Sequence, residues 1–115
     1  MSNGYVYVLV NPSMPGIVKI GMTTRNPEKR AAELSGVTGV PTPFILVYYT
    51  DFPNCEVAER QIHAILEEKG YRISNNREFF SLSSKEAIDC ILSLKNNQLA
   101  SKYALPKNVT ALYNF

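Results

Sequence analysis

The sequence predicts a single α+β domain, a small three-stranded antiparallel sheet flanked by helices. Three observations predict it. Two runs rich in β-branched and aromatic residues, 4–10 and 17–22, stand either side of an Asn-Pro-Ser-Met-Pro-Gly turn at 11–16, the pattern of a hairpin. A third apolar run, 43–50, lies between two segments of helical periodicity. The chain has 115 residues, the size of one domain, and 45% hydrophobic content supplies a core without metals or disulfides.

Taken in order, the first run reads Gly-Tyr-Val-Tyr-Val-Leu-Val, and its near-continuous apolar character predicts a strand covered on both faces. The second run completes the hairpin. Asn26 then caps a helix that starts at Pro27, where proline is favoured, with Glu28 complementing the helix dipole and Gly36 as a stop. A Gly/Pro/Thr-rich connection leads to the third strand. Asn54 caps a second helix that runs to about Lys69 and ends at Gly70, with Val57, Ile62, Ile65 and Leu66 as its apolar stripe. After a polar loop, Phe79-Phe80 is a short strand or an extended core anchor. Ser83 and Glu86 form a capping box ahead of a third helix whose apolar side carries Ala87, Ile88, Ile91, Leu92 and Leu94. The domain is placed at 1–95. A more polar tail at 96–115, with scattered Leu, Val, Tyr and Phe, either packs back or serves a partner.

Twelve Lys and Arg against ten Asp and Glu leave a net charge of +2, so any phosphate contact has to come from local clusters and not from an overall field. Cys55, Cys90 and His63 lack metal-ligand spacing, and both cysteines read as small buried residues of a reducing compartment. Apolar runs are too short to span a membrane and the start lacks a secretory pattern, which points to the cytoplasm.

Several side chains carry chemistry if the strands align. Tyr5, Tyr7 and Leu9 share one face of the first strand, and Ile17, Lys19 and Gly21 share one face of the second. If the hairpin sets those faces together, Tyr7 and Lys19 are neighbours, and an ammonium beside a phenol lowers its pKa toward use as a base. A packed strand tyrosine and a solvated lysine fit the same periodicity. Gly21 lets a backbone approach closely or relieves a turn. Arg25, Lys29 and Arg30 cluster at the start of the first helix, suited to phosphate or simply solvated. Glu59 and His63, four apart, share a face of the second helix. One carboxylate with phosphate oxygens and water is a common way of holding Mg²⁺, and a surface Glu-His pair is the alternative. Arg72, Asn75, Asn76, Arg77 and Glu78 make a polar patch that lines a groove or is solvated.

These signals occur in the order of a known family. The chain resembles the GIY-YIG nuclease superfamily, and within it the phage and cellular subgroup whose second motif reads Lys-Ile-Gly. Tyr5-Val6-Tyr7 stands at the first motif and Lys19-Ile20-Gly21 at the second, with eleven residues between Tyr7 and Lys19. Glu28-Lys29-Arg30 matches the helix arginine, and Ala58-Glu59-Arg60-Gln61-Ile62 the helix with the metal-binding glutamate. Tyr71-Arg72-Ile73 to Arg77-Glu78-Phe79-Phe80 is similar to that subgroup. The resemblance covers about 4–92.

The resemblance implies a metal-dependent endonuclease hydrolysing DNA phosphodiester bonds. Tyr7 would be or orient the general base, Lys19 would tune it or touch phosphate, and Arg30 would stabilise transition-state charge. Glu59 would hold Mg²⁺ (or Mn²⁺), and His63 would assist. Gly21, Arg25, Lys29, Arg72 and Asn76 would contact substrate. The expected partner is DNA, with homodimerisation or a separate targeting partner supplying specificity, and no membrane. A catalytically weak nucleic-acid-binding domain, or a protein-interaction module using the tail, is the competing expectation.

Overall fold

Strand β1 (Gly4–Val10) is buried along nearly its whole length, and this places it at the centre of the sheet. It pairs antiparallel with β2 (Val18–Thr23) on one side and with β3 (Ile45–Phe52) on the other. A two-residue strand β4 (Phe79–Phe80) adds to the outer edge of β2, so the order is β3-β1-β2-β4. The α+β class predicted from sequence is therefore present with a fourth strand beyond the expected three. The computed structural model describes residues 2–36, 42–73 and 78–102.

The helices are α1 (Pro27–Ser35), α2 (Cys55–Glu68) and α3 (Ser84–Lys102). Their starts follow the side chains read as caps. Asn26 accepts from the backbone N–H of Glu28 at 2.7 Å and of Lys29 at 3.2 Å, and Asn54 accepts from Val57 N–H at 3.2 Å. The Ser83 hydroxyl accepts from Glu86 N–H and donates to its carboxylate, both at 3.1 Å. Gly70, at φ +82°, turns the chain out of α2 while Tyr71 N–H closes on Leu66 C=O at 3.0 Å. The third helix runs on past Asn96, into the segment read as the tail. Asn96, Asn97 and Gln98 bring neither proline nor glycine, and the helix continues to Lys102. The remainder of the predicted tail lies outside the described residues. No described helix is long and apolar enough to cross a membrane.

Alternation along the strands divides the interior in two. Val6, Val8, Val18 and Ile20 face α2 and α3, where Ala58, Ile62, Leu66, Ala87 and Ile91 complete the main core. Tyr7 and Leu9 face the other way and pack against Ala31 and Leu34 of α1, with Phe44 and Leu46. Full burial of Ile62 and Leu66 contributes about 1.5–3 kcal/mol each, against roughly 0–1 kcal/mol for an exposed ion pair. Packing therefore sets where α2 lies, and the polar side chains it carries are delivered by that packing. Between Val8 and Leu9 the β1–β3 register shifts by a bulge at Val47.

Candidate active site

The hairpin does bring the two motif faces together. Tyr7 stands directly across from Gly21, and Lys19 is across from Leu9, so Tyr7, Lys19 and Gly21 share the face that looks toward α1. The Tyr7 ring lies over Gly21. A Cβ at that position would come within 2.6 Å of Tyr7 Cζ and closer still to its hydroxyl. The φ of Gly21 is not positive, so the requirement for glycine comes from the ring above it and not from the backbone.

Asn26 anchors the first turn of α1, its C=O accepting from Arg30 N–H at 3.1 Å, and this aims Arg30 at the same spot. The Arg30 guanidinium donates to the Tyr7 hydroxyl and reaches Glu33 Oε1 at 3.4 Å. Arg25 holds the same Glu33 carboxylate with two hydrogen bonds at 3.0 and 3.2 Å. Tyr7 is only 1% exposed. Burial pushes its phenol above the usual value, and the hydrogen bond and charge of Arg30 oppose this without reversing it. The expected tuning of Tyr7 by Lys19 gives way to this arrangement. The Lys19 ammonium is instead held by Glu78 Oε2 at 2.6 Å and lies 5.1 Å from the centre of the Phe79 ring.

The second half of the site is built on the outer edge of β2. There β4 pairs only with Val18 and Lys19, and Ile20 N–H donates to Glu78 C=O at 2.9 Å. Beyond that point the edge is served by α2. His63 Nε2 donates to Ile20 C=O at 2.8 Å, and the Glu59 carboxylate faces Met22 N–H, which favours its charged form. The match is geometric. Four helical residues rise about 6 Å and two strand residues about 6.7 Å, so an i, i+4 pair laid along a strand meets alternate outward groups. His63 is 8% exposed, stacks against Phe80 at 5.0 Å, and burial lowers its pKa. Its Nε2 proton is committed to the strand, so His63 closes the edge at Ile20.

Glu59 is half-buried. Burial raises its pKa, the nearby Glu78 charge raises it further, and Lys19 and the Met22 N–H pull it down. The Tyr7 phenol in turn feels Arg30 on one side and Glu78 and Glu59 on the other. Glu78 thus belongs to the site although the sequence marked it only as part of a polar patch; its place just ahead of the Phe79-Phe80 anchor was the available signal. Glu59 and Glu78 line an open cleft of about 560 Å³ with Arg60, His63, Glu67 and Arg72. Two neighbouring carboxylates, one of them held uncomfortably as an anion, fit a hard divalent cation, whose charge would relieve that strain. Among the described residues no three His, Cys, Asp or Glu converge for a cation, so any such ion would complete its shell with water and phosphate oxygens.

The other expected contacts divide. Arg72 lies over the Phe80 ring at 5.4 Å and 3.6 Å from Glu67, with its buried Nε lacking a hydrogen-bond partner. Lys29 is exposed on α1, and Arg25 is taken up by Glu33. Asn76 lies outside the described residues, as do Asn75 and Arg77.

The family model of the T5orf172 domain matches residues 4–95, and the chain belongs to that family. This corrects the assignment to the GIY-YIG superfamily made from the ordered motifs: the same segment that carried the resemblance is matched by a different family, and the site residues stand on their geometry alone. No curated protein and no solved structure matches the chain significantly.

Proposed function

We propose that this T5orf172-family domain is a cytoplasmic, metal-dependent endonuclease that hydrolyses phosphodiester bonds in DNA. One observation carries the proposal: Arg30 of α1, an anion-binding group, lies at the Tyr7 face of β1 and β2, and the Lys19 ammonium of that face holds Glu78, which lines one cleft with Glu59, a pair suited to a cation. A phosphodiester needs both, a guanidinium for the charge that builds on the phosphate and a carboxylate for the ion that neutralises it.

Arg30 keeps a side chain 39% exposed, so guanidinium N–H groups beyond those given to Tyr7 and Glu33 are open to a phosphate. Tyr7 aims that guanidinium. Its raised pKa keeps the phenol protonated at neutral pH, so in the resting protein its oxygen orients Arg30 and is not a ready base. Glu59, with Glu78 beside it, would hold Mg²⁺ (or Mn²⁺). When bound, that ion supplies Lewis-acid activation of the phosphate and of the attacking water. Lys19 balances Glu78 and keeps the paired carboxylates from repelling each other apart. With a net charge of only +2, targeting is assigned to a second copy or a separate DNA-binding partner.

A second reading, a nucleic-acid-binding domain without turnover, is favoured by one feature: Lys19 is tied to Glu78 and Tyr7 has no base-ready pKa. The decisive experiment is a cleavage assay on supercoiled, linear, branched and single-stranded DNA with Mg²⁺ or Mn²⁺. Arg30→Ala and Glu59→Gln are expected to lose at least about a hundredfold in rate. Cleavage equal to wild type in both variants removes the site. Salt-dependent binding with no cleavage supports the second reading.

A further inference from the structure

The α1-facing side of the sheet is only partly covered. Ala31 and Leu34 of α1 pack over Leu9, Phe44 and Leu46, toward one end of the sheet. At the other end the same face carries Tyr5 and Tyr49. Tyr49 stands across from Tyr7, and Tyr5 across from Thr23 and Asp51. The two rings meet edge to face, with centroids 5.5 Å apart and planes at 80°. Tyr49 is 44% exposed, high for an aromatic in a strand that packs on a core. Beside Tyr5 lies a cleft of about 410 Å³ lined by Asn3, Thr24 and Asp51. The Asp51 carboxylate is drawn to Lys95 at 2.8 Å, which balances its charge.

The geometry points to the exposed Tyr49 ring, braced edge to face by Tyr5, as a shelf on which an unpaired nucleobase stacks while a neighbouring phosphate sits on Arg30. This deepens the phosphodiesterase proposal and rests on it. Tyr49 is one strand from Tyr7 on one side, and the Tyr7 hydroxyl beside Arg30 lies over Gly21, one strand away on the other, so shelf and cation are separated by about two inter-strand spacings, roughly 10 Å. A base and the phosphate of its own or the adjacent nucleotide span that in a single strand. The surroundings suit a polyanion, with the exposed Lys29 and Arg30 on the first half of α1 and Arg25, paired with Glu33, just before it. Aromatic faces take any base, because every base has a π-face, so the shelf selects unpaired over paired nucleotides and not one sequence over another. Bases inside a duplex are stacked on each other and cannot reach it. The substrate class that follows is single-stranded, flapped or base-extruded DNA.

The test uses the full chain with a fluorescently labelled single strand and a duplex of equal length. Binding is read by anisotropy in EDTA, so that no cleavage intervenes, and thermal melting of each variant confirms folding. Tyr49→Ala is expected to weaken single-strand binding roughly 5- to 150-fold. Tyr49→Phe, which keeps the ring, should bind as wild type, and both variants should bind duplex as wild type does. A single strand made abasic at the bound position should bind wild type as weakly as the intact strand binds Tyr49→Ala. The proposal is overturned if Tyr49→Ala binds single strands normally, if single strand and duplex weaken equally, or if Tyr49→Phe fails as badly as Tyr49→Ala. Cleavage with Mg²⁺ separates the two proposals. A wild type that shows the predicted binding pattern but never cuts leaves the shelf standing and removes the nuclease. One that cuts, with Tyr49→Ala unchanged on every substrate, does the reverse.

Discussion

Replacing Gly21 by alanine separates two explanations of that glycine by the sign of the effect. In a strand with ordinary backbone angles, glycine to alanine normally stabilises, by about 0.4–1 kcal/mol, because the unfolded chain loses freedom. Here the added methyl would lie 2.6 Å from Tyr7 Cζ and 3.0 Å from Cε1, well inside contact distance. The ring has nowhere to go: Tyr7 is 1% exposed and packed by Leu9 and Ala31. Overpacking of this kind costs about 1–3 kcal/mol. The net expectation is a loss of about 1–2 kcal/mol, or a melting temperature lower by roughly 4 °C for each kcal/mol. Urea denaturation of four proteins measures it: wild type, Gly21→Ala, Tyr7→Leu and the double variant. In the Tyr7→Leu background the methyl has space, and the same substitution should become neutral or stabilising. If Gly21→Ala stabilises the wild type, or costs the same in both backgrounds, the glycine does not exist to seat Tyr7. The close approach it permits would then belong to something outside the protein.

Removing the His63 side chain (His63→Ala) leaves Ile20 C=O without its donor and should cost about 1–3 kcal/mol in urea denaturation, with His63→Gln recovering part of it; equal stability of all three would remove the edge-closing role. Glu59 has a raised folded pKa, so its contribution to stability is fully present below the unfolded value of 4.5 and is lost as pH rises through the folded one. Glu59→Gln, which keeps an acceptor for Met22 N–H, should therefore match wild type near pH 4 and become the more stable protein toward neutral pH. Stability curves that run parallel from pH 4 to 7.5 contradict the assignment. Millimolar Mg²⁺ or Mn²⁺ should raise the wild-type melting temperature at pH 7.5 and leave Glu59→Gln unmoved, and a shift of equal size in both places the ion elsewhere.

Much of the scaffold is legible because its signals are local. Asn26-Pro27 and Asn54 cap helices through their own side chains, Gly70 ends one with a positive φ, and the Ser83–Glu86 pair opens the last. The shared face of Tyr7, Lys19 and Gly21 also follows from two-residue periodicity once the hairpin is assumed. What periodicity does not carry is long-range pairing. Phe79 and Phe80 are too few to display a period, so their addition to β2, and with it the arrival of Glu78 at Lys19, is invisible until the sheet is assembled. The partner of a charge is likewise not local. Lys19 on β2 and Arg30 on α1 both lie on the Tyr7 side of the sheet, yet Glu78 takes one and the phenol takes the other. The family assignment differed for a related reason: short motifs in order describe a constellation, whereas the T5orf172 family model is matched over the whole of residues 4–95.

The pairing of α2 with the bare side of β2 has a consequence for solubility. An uncovered strand edge is a template on which another chain can add, and natural sheets shield such edges. Here the shield consists of two side chains, His63 and Glu59, one turn apart. The residue proposed to grip the ion is therefore also part of what keeps copies of the domain from zipping together. Truncating it to alanine would disarm the site and unlatch the edge at once. An inactive Glu59→Ala protein should be checked for concentration-dependent light scattering before its silence is put down to chemistry, and the isosteric glutamine is the cleaner substitution because it leaves the latch closed.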